Sequence, residues 1–173
     1  WDRVLALRPD HYVPISLRVA DRCQQYYQRE TKVPIYPPIP QLPPAKQPLT
    51  IPIKPFFFTW GRHVPYKALD VAIKAAIKVN QPLLIAGHGP TTKDWQRLAD
   101  QLDPDHRLVK FLGRISDEEL TWYLQQAQAA IFPQEEDFGL TAMEAVSQGC
   151  PVILHQASGA AEIIRPGKDG LFL

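Results

Sequence analysis

The pattern of apolar and polar positions changes at about residue 56. From there to the end, short apolar runs alternate with amphipathic segments, and we predict strands over 56–60, 82–87, 107–112, 129–132, 151–154 and 170–173. The segments between them carry apolar residues at helical spacing, most clearly in the stripe of Leu69, Ala72, Ile73, Ala76 and Ile77. Alternating strands and helices are typical of a parallel sheet with helices on both faces. The sequence therefore predicts an α/β domain over 56–173.

Other helices are predicted from their start signals. The S-D-E-E run that begins at Ser116 is a capping box, and residues 94–102 form a further amphipathic helix. Nearer the amino terminus, residues 12–15 are predicted as a short strand. Ser16 then serves as the N-cap of a helix that continues to Arg29.

Proline dominates the segment between these two regions. Residues 31–55 include Pro34, Pro37, Pro38, Pro40, Pro43, Pro44, Pro48, Pro52 and Pro55. Proline lacks the backbone N–H that helices and sheet ladders need, so we predict an extended connector. The Tyr36-Pro37-Pro38 step also leaves open a second use, as a ligand for an SH3-type domain.

Composition excludes several classes of protein. The 173 residues suffice for one domain, and the formal net charge of +1 gives no field that would attract nucleic acid. The sequence has no apolar run of eighteen residues and no signal-peptide pattern, so we expect a cytoplasmic protein. Cys23 and Cys150 are far apart, which predicts buried, reduced thiols rather than a disulfide framework or a zinc site. The missing initial Met and the final apolar run suggest a piece of a longer chain.

The stretch with the most chemistry is residues 132–149, which reads FPQEEDFGLTAMEAVSQG. A strand leads through an acidic turn into a helix, and ligands of open α/β sheets bind at such junctions. Unpaired N–H groups of the helix favour an anion, and Gly139 permits close approach to the backbone. Glu136 and Glu144 offer carboxylates to hydroxyl groups. A ligand with both phosphate and hydroxyls, such as a nucleotide sugar, would suit this stretch.

Two further strand ends carry candidate ligands. Gly61 and Arg62 follow the first strand, and Arg62 can bind phosphate oxygens with two parallel hydrogen bonds. Lys67 stands at the predicted helix start, where a cation opposes the helix dipole unless an anion is bound. Gly87 begins a glycine turn after the second strand, but Thr92 replaces the third glycine of a dinucleotide fingerprint, so a plain turn remains open.

Two motifs together resemble a known family. The Glu-x7-Glu spacing from Glu136 to Glu144 and the GR-x3-YK element from Gly61 to Lys67 resemble the retaining glycosyltransferases of the B-type fold (group 1, family 4, mannosyltransferase-like). The resemblance implies a Rossmann-like, carboxyl-terminal donor-binding domain over 56–173, truncated at its end. It also implies an inter-domain linker over 31–55 and a remnant of the amino-terminal acceptor domain over 1–30.

The resemblance assigns roles to individual residues. Arg62 and Lys67 would hold the donor diphosphate and stabilise the leaving group, while Glu136 and Glu144 would bind hydroxyls of the sugar and of the ribose. The remaining donor contacts would come from Gly61, Gly87, Arg114, Ile115, Phe138, Gly139 and Leu140. For Arg114 and Ile115, which would lie beside the base, simple exposure and packing at a helix start remain equal alternatives.

Competing chemistries fit less well. A glycosidase pair at Glu136 and Glu144 would have no use for Arg62 and Lys67. The Asp-x-Asp motif at 103–105 suggests a metal site, but it precedes a strand rather than following one, so we predict a turn. The family needs no metal, and we expect no cofactor.

The resemblance implies transfer of a hexosyl group from a nucleoside diphosphate sugar to a sugar or lipid-linked acceptor, with retention. The run from Glu135 to Gly139 favours GDP-mannose before UDP-glucose as donor. We expect this chain alone to be inactive, and we expect membrane contact, if any, through the missing amino-terminal domain at the inner membrane face. A non-catalytic nucleotide-sugar-binding module remains open, as does a phosphorylase or epimerase on the same architecture.

Overall fold

The computed structural model describes residues 2–50 and 55–173, without the side chain of Arg3. Its centre is a six-stranded parallel sheet in the order β3-β2-β1-β4-β5-β6. The strands are β1 (Phe57–Arg62), β2 (Leu83–His88), β3 (Val109–Gly113), β4 (Ala129–Phe132), β5 (Val152–Leu154) and β6 (Gly170–Phe172). This confirms the predicted parallel α/β sheet, and the order places the topological switch between β1 and β4.

Helices cover both faces of the sheet, as predicted. Those of the described ranges are α1 (Asp2–Leu5), α2 (Leu17–Tyr27), α3 (Leu69–Lys78), α4 (Thr92–Leu102), α5 (Asp117–Gln126) and α6 (Leu140–Ser147). Apolar side chains of α3 and α4 form one core with one face of the sheet, and those of α5 and α6 form a second core with the other face. The fold is therefore a Rossmann-like, doubly wound α/β domain.

The central strands explain the stability of this arrangement. In β2, Leu83 and Ile85 face α3 and α4, while Leu84 and Ala86 face the α5 and α6 side. All four are at most 2% exposed. Full burial of a side chain such as Leu or Ile contributes about 1.5–3 kcal/mol to stability. Because β2 is buried on both faces of the sheet, all four of these positions are apolar.

Local signals set the element boundaries. The Ser116 hydroxyl accepts from the Glu119 N–H (3.2 Å) and the Glu119 carboxylate accepts from the Ser116 N–H (3.1 Å), which confirms the capping box. Ser16 caps α2 by accepting from Val19 N–H at 3.0 Å, as predicted. The helix ends at Tyr27 rather than Arg29 because Gln28 adopts a left-handed conformation.

The Asp-x-Asp motif is a structural turn. The buried Asp103 carboxylate accepts backbone N–H groups of Arg107 (3.1 Å), Leu108 (2.7 Å) and Val109 (2.9 Å). These charge-assisted bonds lower the pKa of Asp103 despite the opposing effect of desolvation. The motif forms the turn that connects α4 to the amino end of β3, which confirms the turn interpretation.

The predicted strand over 12–15 is wrong. Its backbone makes two hydrogen bonds, from Lys32 N–H to Tyr12 O (2.9 Å) and from Ile35 N–H to Pro14 O (3.0 Å). No strand is assigned there, because Pro14 cannot donate to a ladder. Residues 31–50 are free of helix and strand, as predicted for a connector, while 51–54 of the predicted linker lie outside the described residues.

The two cysteines are buried and unpaired, as predicted. Burial raises the pKa of the Cys150 thiol to about 11. Within residues 2–50 and 55–173, no helix has the length and apolar character needed to cross a membrane.

Candidate functional site

The carboxyl ends of the central strands open onto a cleft with a volume of about 580 Å³. It is lined by Gly61, Arg62, Gly87, His88, Gly89, Pro90 and Arg114. The cleft lies where ligands of open α/β sheets bind, beside the switch between β1 and β4. Four residues that the sequence predicted as candidates, Gly61, Arg62, Gly87 and Arg114, thus come together from three strand ends.

Glycine is required in the wall of this cleft. Gly87 has a φ of 110°, and a Cβ atom there would lie 1.9 Å from the carbonyl oxygen of Gly61. A Cβ atom on Gly89 would lie 2.2 Å from the carbonyl oxygen of His63. The backbone after β1 and the backbone after β2 therefore approach each other so closely that only glycine fits at Gly87 and Gly89. Because glycine has no side chain, a ligand could also approach the backbone at these positions.

His63 is a buried residue of the site that the sequence analysis missed. Its Nδ1 lies 2.9 Å from Thr92 Oγ1, and its Nε2 lies 3.3 Å from the carbonyl oxygen of Ala86. Desolvation lowers the pKa of His63. A neutral ring that donates from Nε2 to the Ala86 carbonyl leaves Nδ1 as an acceptor for the Thr92 hydroxyl, whose single proton is shared between Nδ1 and the Gly89 carbonyl oxygen at 2.8 Å; Thr92 Oγ1 also accepts from Gly89 N–H at 2.9 Å. Thr92, at the third glycine position of the fingerprint, thus fixes the turn by its side chain.

Two guanidinium groups at the cleft lack a counter-charge. Arg62 and Arg114 are both exposed, and neither forms an ion pair within the described part of the chain. Guanidinium groups bind phosphate oxygens through parallel hydrogen bonds. The cleft is therefore suited to a ligand that carries more than one negative charge.

Lys67 lies in a different environment from the one predicted. It ends a 3₁₀ turn, Pro65–Lys67, before α3 begins at Leu69. Its Nζ forms an ion pair with Glu136 Oε1, and the two side chains are 14% and 20% exposed. The interpretation of Lys67 as a helix-start cation that needs a bound anion is therefore wrong: Glu136 supplies the negative charge.

Glu136 is held at one carboxylate oxygen. Oε1 accepts from Lys67 and also from Gln134 Nε2 at 3.2 Å, and Gln134 is itself only 4% exposed. Among the described residues, Oε2 has no hydrogen-bond partner. The Lys67 and Gln134 contacts thus fix the orientation of the carboxylate.

The start of α6 follows β4, the strand that lies next to β1 in the sheet. Gly139 is its N-cap, with a φ of 95° and no side-chain hydrogen bond to the first turn. Phe138 is buried and Leu140 is exposed. A Cβ atom on Gly139 would lie 3.2 Å from both Ser158 Oγ and the Cβ of Ala160, so glycine also suits the packing. The first-turn N–H groups retain the partial positive charge of an uncapped helix start.

Glu144 lies further along α6 and is partly buried. Desolvation and, secondly, the charge of Asp117 raise its pKa. In the part of the chain that the structure describes, its carboxylate has no hydrogen bond or ion pair. The side chain of Ile115 packs against the core on the α5 and α6 face of the sheet, as in the alternative that gives it a packing role at the helix start.

A metal site is not indicated by the ligand geometry. Within residues 2–50 and 55–173, no group of three or more His, Cys, Asp or Glu side chains could hold a metal ion. Positive charge at the cleft comes from Arg62 and Arg114.

The sheet order, the glycines at the strand ends and the unpaired arginines define an open α/β domain with a positively charged cleft beside its switch point. Comparison with known proteins gives the family. The family model for glycosyl transferases group 1 matches residues 45–173, and the chain belongs to this family.

Curated relatives cover the same part of the chain. The uncharacterized glycosyltransferase YqgM of Bacillus subtilis (strain 168) is 34% identical over 110 residues, which are 60% of this chain and 30% of YqgM. The glycogen synthase of Mycobacterium tuberculosis (strain H37Rv) is 33% identical over 135 residues, 73% of this chain and 31% of that protein. The chain thus spans about 30% of the length of these relatives.

Solved structures share the fold. The pneumococcal O-GlcNAc transferase GtfA, in complex with UDP and GlcNAc, superposes with a TM-score of 0.74 at 19% identity. The superposition covers 99% of this chain and 35% of GtfA.

Proposed function

We propose that the chain is the donor-binding part of a retaining hexosyltransferase that uses a nucleoside diphosphate sugar. The observation that carries the proposal is the meeting of two kinds of group at one sheet edge. Unpaired Arg62 suits a diphosphate, and Glu136, held by Lys67 and Gln134 at one oxygen, suits sugar hydroxyls. The names of the two relatives, a glycosyltransferase and a glycogen synthase, support transfer of a sugar.

The diphosphate would lie across the ends of β1 and β2. Gly61 and Gly87 allow close approach to the backbone, and Arg62 supplies a fork of N–H donors. The N–H groups of Phe138 and of the N-cap Gly139, together with that of Leu140 in the first turn of α6, would add uncharged donors beside the sugar and phosphates. Protein cations thus offset the phosphate charge, and we propose that donor binding needs no metal ion.

The sugar would lie beside the acidic loop, on the side of the Glu136 oxygen that is unpaired among the described residues. The loop, residues 134–139, presents Glu136 Oε2 while Oε1 remains bound to Lys67 and Gln134. As the glycosidic C–O bond breaks, negative charge would develop on the leaving diphosphate. Arg62, Lys67 and the start of α6 would stabilise that charge, which is electrostatic catalysis by preorganised groups.

The nucleoside would extend towards β3 and α5. Glu144 would accept hydrogen bonds from ribose hydroxyls, and its raised pKa reflects a partly dry position with no partner in the described residues. The base would lie beside Arg114 and the backbone of Ile115. The Glu135-to-Gly139 run favours GDP-mannose before UDP-glucose, and a sugar or lipid-linked molecule would be the acceptor.

Calorimetric titration tests the proposal. GDP should bind to the chain and GMP should bind more weakly, because the second phosphate is the group that Arg62 contacts. The affinity for GDP should survive treatment with EDTA. No binding of any nucleoside diphosphate, or equal affinity for mono- and diphosphates, would contradict the proposed function.

Transfer itself needs an acceptor side as well as a donor side. Because the chain spans about 30% of its relatives, we propose that it binds donor without transferring sugar by itself. Mass spectrometry of the reaction mixture with GDP-mannose and simple sugar acceptors checks this expectation. Robust formation of a glycosylated acceptor would refute it.

A further inference from the structure

A helix from the far side of the linker holds the acidic loop in place. Two ion pairs join α2 to the loop, one between Arg18 and Glu135 and one between Arg22 and Asp137. Their carboxylates are the immediate neighbours of Glu136 in the sequence. Each flanking acid therefore has its own arginine, while Glu136 has Lys67.

Hydrogen bonds also hold α2 against the acidic loop. The fully buried Ser16 hydroxyl donates to the carbonyl oxygen of Asp137 at 2.5 Å and also caps α2. Glu162 accepts from the N–H groups of Leu17 (2.9 Å) and Arg18 (3.0 Å). The start of α2 is therefore attached both to the acidic loop and to the neighbouring 3₁₀ turn, Gly159–Glu162.

The connector adds a further contact. The ring of Tyr36 stacks on Phe138 with a centroid distance of 5.9 Å, and its hydroxyl donates to Glu162 at 3.0 Å. Gly159 N–H donates to the carbonyl oxygen of Glu136 at 3.0 Å. The loop is thus held by the connector at Phe138 and by the Gly159–Glu162 turn at the backbone of Glu136.

The ion pairs of Arg18 and Arg22 determine which carboxylate of the loop binds Lys67. Three consecutive carboxylates repel one another, and each could compete for the ammonium group of Lys67. With Arg18 on Glu135 and Arg22 on Asp137, both competitors are neutralised and Lys67 is left to Glu136. Without the arginines, Glu136 would share Lys67 with its neighbours and lose its fixed orientation.

We propose that Arg18 and Arg22 are positioning residues for the sugar half of the site. They act through the acidic loop, by reserving Lys67 for Glu136, and they do not touch the donor. This inference rests on the proposed function, in which Glu136 binds hydroxyls of the donor sugar.

The test is the double variant Arg18→Gln/Arg22→Gln of the whole chain. The first measurement is hydrogen exchange of the backbone amides of residues 134–139 without ligand, which should become faster. The second is the ratio of affinities for GDP-mannose and GDP. Because only the sugar depends on Glu136, this ratio should fall by about two- to ten-fold, the range expected from losing two partly exposed ion pairs. The affinity for GDP should stay unchanged.

Two control variants separate positioning from general destabilisation. Arg18→Lys/Arg22→Lys keeps both charges and should restore most of the ratio. Arg97→Gln removes a more exposed surface ion pair, with Asp94 on α4, and should change neither measurement.

The outcomes distinguish the two proposals. If the unsubstituted chain binds no GDP, the proposed function fails; if it binds GDP but shows no difference with GDP-mannose, the sugar role of Glu136 and this inference fail together. If it shows a sugar-dependent difference that Arg18→Gln/Arg22→Gln leaves unchanged, the positioning role alone is overturned, even if exchange of the loop becomes faster.

Discussion

The Lys67–Glu136 ion pair gives a prediction about stability that needs no ligand. The two side chains are 14% and 20% exposed and come from turns 69 positions apart in the sequence. We consider Lys67→Met and Glu136→Gln, which remove one charge each and preserve side-chain length. Each single variant leaves a partly buried charge without its partner, and the double variant leaves none.

The expected magnitude follows from the burial of the pair. Opposite charges in contact near a protein surface attract by about 4 kcal/mol, and desolvation and side-chain ordering offset much of this. Exposed pairs retain about 0.2–1 kcal/mol, and breaking a buried pair costs about 3–5 kcal/mol. For this intermediate pair we expect each single variant to lose about 1.5–2.5 kcal/mol of unfolding free energy, and a coupling energy of about 1–2 kcal/mol.

The assay is urea unfolding of the four members of the double-mutant cycle. The double variant should be about as stable as the weaker single variant, because the second substitution removes the stranded charge. The matched control is the Lys74–Asp70 pair on α3, whose side chains are 58% and 39% exposed and whose coupling should be about 0.5 kcal/mol or less. Strictly additive losses at Lys67 and Glu136 would refute the reasoning.

The remaining predictions concern the cleft. Gly87→Ala should lower unfolding free energy by several kcal/mol, since its Cβ would lie 1.9 Å from Gly61 O, and an unchanged urea midpoint would contradict this. Because burial lowers the pKa of His63, the unfolded chain takes up the proton more readily. The stability contributed by neutral His63 is present above the ordinary pKa of about 6.5 and is lost as pH falls below it, whereas His63→Gln should flatten this part of the stability profile. In calorimetry GDP should bind more tightly than UDP; tighter binding of UDP would end the GDP-mannose preference and leave the roles of Glu136 and Glu144 standing.

The sequence was enough to predict the fold because its signals are local. Runs such as Leu83 to Ala86 are buried on both faces of the sheet and so lack polar positions, and the helices between them keep a clear apolar stripe. The failed strand at 12–15 shows the limit of local reasoning. Its short apolar run is typical of a strand, but a strand also needs a neighbouring segment with which it exchanges backbone hydrogen bonds. Pro14 and Pro34 both lack the N–H group that such bonds require.

The candidate site was predictable only in part, for a similar reason. Residues at strand ends, such as Arg62 and Gly87, could be placed together because parallel strands end at one edge. The partner of Lys67 is 69 positions away in the sequence, so the local pattern predicts an external anion where the fold supplies Glu136. The attachment of α2 to the acidic loop joins residues more than a hundred positions apart, and no local pattern marks it.

The most direct test of the central claim is calorimetry of GDP binding to the unsubstituted chain and to Arg62→Gln. Arg62 has no ion pair within the described residues, so its loss should leave the urea midpoint unchanged. It should weaken GDP binding by about 1.5–3 kcal/mol, the contribution of hydrogen bonds to a charged group, and should weaken GMP binding less. Arg97→Gln should bind GDP as the unsubstituted chain does. Undiminished GDP affinity in Arg62→Gln would contradict the assignment of this cleft to the donor diphosphate.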